Sequence, residues 1–151
     1  MIILDTTVLA YAVGEAHPLR DPCRQLLAAH AEGRLEATTT VEVLQEFAHI
    51  RARRRRRSDA VAVTRNYLAA FTLLVTTPGD LDRGLSLYEE HPELGAFDAV
   101  LAAVALDRKA EALVSADRAF ASVSGLPWID PGSPAIGRLL GESVSPHPTE
   151  G

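Results

Sequence analysis

MIILDTTVLAYAV, residues 1–13, runs three aliphatic residues, Ile2, Ile3 and Leu4, straight into one carboxylate, Asp5, followed by two threonines. A short apolar run of this kind predicts a buried strand, and the charge at its end stands where the strand leaves the sheet. The same grammar returns in ALVSAD (112–117), where aliphatic residues lead to Asp117. Between these two runs the chain alternates. PLRDPCRQLLAAHAEG (18–33) has helical spacing at Leu19, Cys23, Leu26, Leu27 and His30 and closes on Gly33 as a C-cap. LEATT (35–39) reads as a strand, and Thr40 caps a helix from Val41 to about Arg54 with Val43, Leu44, Phe47 and Ile50 on one face. Ser58 and Asp59 start AVAVTRNYLAAF; LLVTT (73–77) reads as a strand stopped by Pro78 and Gly79. DLDRGLSLYEEH (80–91) is amphipathic and ends at His91-Pro92, AFDAVLAAVALDRK (96–109) is apolar nearly all round, and a last strand lies near PWID (127–130). Alternation of this kind predicts an α/β domain over residues 1–130, a parallel sheet with helices on both faces. Residues 131–151, rich in Pro, Gly and Ser, read as a loosely ordered tail with one helical piece around Ile136 to Leu140.

The bulk numbers agree with one domain. A chain of 151 residues buries about two-thirds of its unfolded surface. Its 47% hydrophobic and 23% charged residues are ordinary globular composition. No apolar run approaches the roughly 20 residues a bilayer requires, and the N-terminus lacks a basic leader, so the expectation is a cytoplasmic protein with no membrane partner. The lone Cys23 sits in a helical pattern and reads as a small core residue. The net charge is −5, yet six of the fifteen basic residues, Arg51, Arg53, Arg54, Arg55, Arg56 and Arg57, fall within seven positions. The molecule is acidic with one concentrated positive patch.

In parallel α/β sheets ligands bind beyond the carboxyl ends of the strands, where Asp5 and Asp117 stand. Two helical acids join them as candidates: Asp98, in the first turn of the buried helix, and Glu46, beside Phe47 and Ile50. Glu42 lies four residues before Glu46 on the same face and offers a second reading of that acid. Each carboxylate alone has an ordinary role as a cap, dipole partner or solvated charge. Together they repel: two unit charges about 4 Å apart cost about 4 kcal/mol at an effective dielectric near 20. A cation relieves that, and oxygen-only ligands suit a hard ion, Mg²⁺ or Mn²⁺.

IILDTTVL, TTVEVLQEF with Glu46, GAFDAVLAAVA with Asp98 and LVSADRAF with Asp117 together resemble the PIN-domain ribonucleases, and within them the VapC-type toxins of toxin–antitoxin modules. The resemblance spans residues 1 to 130, and Ser115 stands where that family often has threonine. It implies a metal-dependent endoribonuclease in which Asp5, Glu46, Asp98 and Asp117 form the catalytic metal site. A metal-activated water would attack RNA phosphorus, with one ion or two. It also implies a cognate VapB-type antitoxin that blocks the cleft, and a homodimer. Thr6 and Thr7 are placed to orient Asp5 or a metal-held water, and Ser115 to do the same for Asp117, with local backbone capping the equal alternative for each hydroxyl.

The arginine run Arg51 and Arg53, Arg54, Arg55, Arg56 and Arg57 has three readings: cations suited to the negative end of the Glu46 helix, phosphate contacts that hold RNA, or a seat for an acidic segment of an antitoxin. With aromatic content of 5%, base stacking is not expected to be the main grip, and Tyr11, Phe47, Tyr67 and Phe97 read as core or rim. The histidines His17, His30, His49, His91 and His147 show no ligand spacing. Two rival functions come from the same sheet: a catalytically silent RNA- or protein-binding module, and a receiver-type phosphoacceptor domain. The second expects paired acids after the first strand and a late lysine, whereas Asp5 precedes threonines and the only lysine is Lys109.

Overall fold

β1 (Ile2–Leu4) is a central strand of a four-stranded parallel sheet ordered β2-β1-β3-β4. In this computed structural model residues 1–141 are described. Ile2 and Ile3 pair with Ala37 and Thr38 of β2 (Ala37–Thr38), and Ile2 to Leu4 pair with Ala112 to Val114 of β3 (Ala112–Val114). β4 (Trp128–Ile129) continues from β3. All three residues of β1 and of β3 are buried, which requires cover on both faces of the sheet. The cover is helical: α1 (Thr6–Ala12), α2 (Arg20–Ala31), α3 (Val41–Arg54), α4 (Arg57–Ala70), α5 (Pro78–Glu90), α6 (Ala96–Asp107) and α7 (Ala135–Leu139). Phe47, Phe120, Leu9, Leu26 and Val104 are among the large side chains fully buried in the core.

The expected helices form, with boundaries set by local chemistry. α2 ends as predicted at Gly33: that residue takes φ 72°, its N–H bonds the His30 carbonyl, and the Arg34 N–H bonds the Ala29 carbonyl. The Thr40 hydroxyl accepts the Val43 N–H and caps α3. α4 begins at Arg57, one residue before the expected start at Ser58, and Arg55 and Arg56 form the extended link between α3 and α4. α5 begins two residues earlier than expected. Pro78, read as a strand stop, is the first residue of the helix, because Thr77 and Asp80 close a reciprocal capping box around it.

Two elements depart from the sequence reading. LLVTT does not form a strand; its contact with the sheet edge is a single bridge between Leu74 and Thr40. The cause is that its neighbour β2 ends at Thr38 and Thr40 already caps α3, so no further backbone remains to pair. The Leu74 N–H to the Thr39 carbonyl and the Thr38 hydroxyl to the Thr72 carbonyl complete the join. α1 has no counterpart in the sequence pattern, since Thr6, Thr7 and Val8 are β-branched and weak helix formers. Tertiary contacts hold it: the Tyr67 hydroxyl donates to the Leu9 carbonyl, Arg24 to the Ala12 carbonyl and Arg51 to the Val13 carbonyl. These satisfy acceptors a short helix leaves open at its end.

Cys23 is a core residue as expected; burial, with Asp130 nearby, pushes its thiol up to about 12, outside any reactive range. Of the residues read as a tail, Ile136 is buried in α7 and joins the core, and residues 142–151, including His147, lie outside the described residues. No helix among the described residues is long and apolar enough to cross a membrane.

Candidate active site

The chain runs from β1 to β2 on one side of the sheet and reaches β3 on the other, so the crevice beyond the carboxyl ends of β1 and β3 is the point where strand order reverses. Asp5 leaves β1 there and Asp117 follows β3. Asp5 is 3% exposed. Its Oδ2 accepts the Ser115 hydroxyl at 2.7 Å and the Thr7 hydroxyl at 3.1 Å. Each hydroxyl is in turn fixed by backbone, Ser115 Oγ accepting the Asp117 N–H and Thr7 Oγ1 the Ala116 N–H, both at 3.0 Å. The Trp128 indole N–H holds the Ser115 carbonyl. This chain of bonds ties the tip of β1 to the tip of β3 and leaves the Asp5 carboxylate one orientation.

Helices deliver the other acids. α3 brings Glu46, whose Oε2 accepts the Thr6 hydroxyl at 2.9 Å. Glu42, one turn earlier, is exposed and accepts the Thr76 hydroxyl instead. Of the two alternatives, Glu46 is therefore the acid placed beside Asp5. α6 presents Asp98 in its first turn, behind Gly95, which has no side chain to cap the helix. Asp117 accepts the Ala119 N–H at Oδ1 and caps the 3₁₀ turn Arg118–Ser122, in keeping with its ordinary reading as a cap.

Crowding of the acids tells on Asp98. The Asp98 carboxyl is pushed up to about 7, first by burial, then by repulsion from Asp5, Asp117 and Glu46 and by a hydrogen bond shared with Asp117. Burial also raises Asp5 above the usual carboxylate range, against the pull of the Ser115 and Thr7 hydroxyls. The cluster is open: among the described residues no three or more His, Cys, Asp or Glu side chains are set to hold a metal ion as they stand.

The hydroxyls are distributed differently from expectation. Thr6 serves Glu46, and Thr7 serves Asp5. Ser115 donates to Asp5 and meets Asp117 only through its backbone N–H. The arginine run also divides. Arg51 forms a two-pronged pair with Asp59 at 2.7 and 3.3 Å and gives its remaining nitrogen to the Val13 carbonyl, so it joins α3, α4 and α1. Its guanidinium is thus occupied within the protein, unlike those of the arginines that follow. Arg53, Arg54, Arg55, Arg56 and Arg57 are exposed. Arg54 borders the acid cleft, whereas Arg55 and Arg56 lie past the end of α3, on the link to α4.

Two cavities meet at the acids. One is an apolar groove of about 550 Å³ between α3, α5 and α6, where Leu81, Leu85 and Phe97 are exposed. The other, about 440 Å³, is walled by α1 and the loop after it, including Tyr11 and His17. Sequence reasoning assigns neither ring to the site. They come together through the turn after α1, between Gly14 and Pro18.

Comparison with known proteins places these observations. The PIN domain family matches residues 2–126. The chain is 53% identical over 146 residues to ribonuclease VapC7 of Mycobacterium tuberculosis, covering 94% of this chain and 99% of that protein. It is 33% identical over 98 residues to ribonuclease VapC23 of the same species, covering 65% and 78%. Among solved structures, VapBC2 of Rickettsia felis bound to a promoter DNA fragment aligns with a TM-score of 0.69 at 18% identity, over 86% of this chain and 98% of that one. VapC20 of M. tuberculosis, described as a sarcin–ricin loop cleaving toxin, aligns with a TM-score of 0.69 at 19% identity, over 83% and 96%. Likeness at that identity speaks to the fold.

Proposed function

Because the chain belongs to the PIN-domain family and, within it, to the VapC-type ribonucleases, we propose that it is a divalent-metal-dependent endoribonuclease toxin. The observation that carries this reading is the gathering of Asp5, Glu46, Asp98 and Asp117 at the mouth beyond β1 and β3, where burial first and then the neighbouring acids raise Asp98 to about 7. Such a set is costly as bare charge and fits a hard cation, since every donor is a carboxylate oxygen and no soft ligand is present among them. Asp5, Asp98, Glu46 and Asp117 would hold Mg²⁺ or Mn²⁺, directly or through water. When bound, that ion supplies Lewis-acid stabilisation of phosphate charge and activation of water.

The chain's own residues do the positioning. Ser115 and Thr7 hold the Asp5 carboxylate in one orientation, and Thr6 does the same for Glu46. Hydroxyls fixed by backbone N–H groups preserve this geometry without adding charge. Arg53, Arg54, Arg55, Arg56 and Arg57 offer guanidinium forks to RNA phosphates, which an acidic protein requires to retain a polyanion. Arg51, committed to Asp59 and Val13, supports the helix end that carries them.

Regulation by an antitoxin of the VapB type fits the apolar groove that opens on the acids, where exposed Leu81, Leu85 and Phe97 offer surface to a partner protein. A homodimer would use the same class of exposed apolar helix surface. Incubation of purified protein with structured RNAs, with Mn²⁺ or with chelator, tests the reading. Cleavage that requires the ion and disappears in Asp98→Asn supports it; intact RNA under all conditions would leave a silent binding module.

A further inference from the structure

Tyr11 and His17 have no part in the acid cluster, yet their rings stack 4.4 Å apart between centroids with 29° between planes. They wall the second cleft, whose lining runs from Asp98 and Asp117 to Arg54. Resting on the endoribonuclease reading, we propose that this cleft is a nucleotide subsite for single-stranded RNA. One unstacked base lies against the Tyr11–His17 pair, a neighbouring phosphate meets Arg54, and the scissile phosphate reaches the acids.

The aromatic wall is built to stay in place. The His17 Nδ1 accepts the Leu19 N–H at 3.1 Å, so the neutral ring carries its proton on Nε2, directed away from that bond and able to donate. Tyr11 sits between carbonyls fixed from three directions: Leu9 by the Tyr67 hydroxyl, Ala12 by Arg24 and Val13 by Arg51, at 2.8, 2.8 and 3.0 Å. Gly14 permits the turn that brings His17 back over Tyr11, because a Cβ there would stand 2.9 Å from the Ala10 carbonyl oxygen. Such an ordered platform loses little freedom when a base stacks on it.

The lining favours a nucleotide over a protein segment. Aromatic faces accept any base, and a single strand can present one while a duplex cannot. The cleft is more polar than the neighbouring groove and includes Glu15, whereas the exposed leucines belong to that groove on the other side of the acids. Arg54 supplies the phosphate contact near the acid end. A single stacking shelf also agrees with a chain poor in aromatic residues, in which phosphate contacts provide most of the affinity.

Binding of fluorescein-labelled octamers of uridine, of adenosine and of abasic ribose, read by anisotropy in the non-cleaving Asp98→Asn protein with Mg²⁺, tests the subsite. Tyr11→Leu or His17→Ala should raise Kd for both base-bearing octamers about five- to tenfold. The abasic octamer should be unaffected, and His17→Phe should restore native binding. Arg54→Gln should weaken all three octamers and lower the salt slope by about 0.7. Equal losses for base-bearing and abasic octamers, no loss at all, or failure of His17→Phe to rescue would overturn the proposal. No loss is also the outcome if the cleft takes a protein segment. Cleavage by the unmodified protein is read separately. If it cuts RNA while octamer binding ignores Tyr11 and His17, the subsite fails and the nuclease stands; if it cuts none while the octamer pattern holds, the nuclease fails and the subsite stands.

Discussion

Asp80 and Asp98 are each the third residue of their helix, α5 and α6, and these two helices pack against each other. Their carboxyls nevertheless titrate in opposite directions. Arg108 grips Asp80 with two nitrogens at 2.6 and 2.9 Å, and with the Thr77 cap it holds the carboxyl down at about 2 even though the side chain is 4% exposed. Among the described residues Asp98 meets no cation; burial and then Asp5, Asp117 and Glu46 lift it to about 7. One acid has had its charge answered by the protein itself. The other is held among like charges, an arrangement that folding alone does not favour and that a ligand cation would.

Replacing each aspartate by asparagine gives the largest contrast. Asp98→Asn should lower RNA cleavage at least about a hundredfold, since it removes one of the acids proposed to meet the ion, while leaving the fold intact. Asp80→Asn should leave cleavage within about threefold but cost about 2–3 kcal/mol of stability, by leaving the partly buried Arg108 without its fork partner. Thermal melts and initial rates on the two variants would measure both. A stability loss in Asp98→Asn comparable to that in Asp80→Asn would erase the contrast.

The same pair predicts two separate pH windows for the metal-free protein. The folded pKa of Asp98 lies above the unfolded value of 3.8, so its contribution to stability is complete below about pH 4 and is lost as pH rises through about 7. For Asp80 the folded pKa lies below 3.8, and its contribution is present above that value and lost as pH falls through about 2. Denaturant midpoints measured from pH 2 to pH 8 should therefore lose their neutral-side decline in Asp98→Asn and part of their acid-side decline in Asp80→Asn. A smaller effect separates the arginines. Neutralising Arg53, Arg55, Arg56 and Arg57 should flatten the salt dependence of RNA binding by about 0.7 for each phosphate no longer held, without altering the melt. Arg51→Gln should instead destabilise the protein, because its partners are Asp59 and the Val13 carbonyl.

How much of this was legible in the sequence follows from the range over which each feature is determined. Asp5 and Asp117 were readable because an apolar strand run fixes where its last residue points, and Thr40 and Gly33 because capping is local. Glu46 was separable from Glu42 only in part: both share a helix face, and the deciding bond from Thr6 joins residues 40 positions apart. Arg51 is indistinguishable from Arg53 or Arg56 by residue type, and only the approach of Asp59 and Val13 sets it apart. The strand expected at LLVTT failed because its would-be partner had already turned into a helix cap, a conflict visible only once the sheet is assembled. The opposed fates of Asp80 and Asp98 were likewise hidden, since Arg108 lies 28 residues after Asp80 in the chain.

Calorimetric titration of Mn²⁺ into the protein at pH 7, repeated in buffers of different ionisation enthalpy, tests most directly whether these carboxylates are gathered to receive a cation. The expected result is one tight site whose filling releases protons at pH 7, as Asp98, raised to about 7, becomes fully ionised, and which is lost in Asp98→Asn but retained in Asp80→Asn. Absence of binding, or equal binding and proton release in the wild type and Asp98→Asn, would contradict the account.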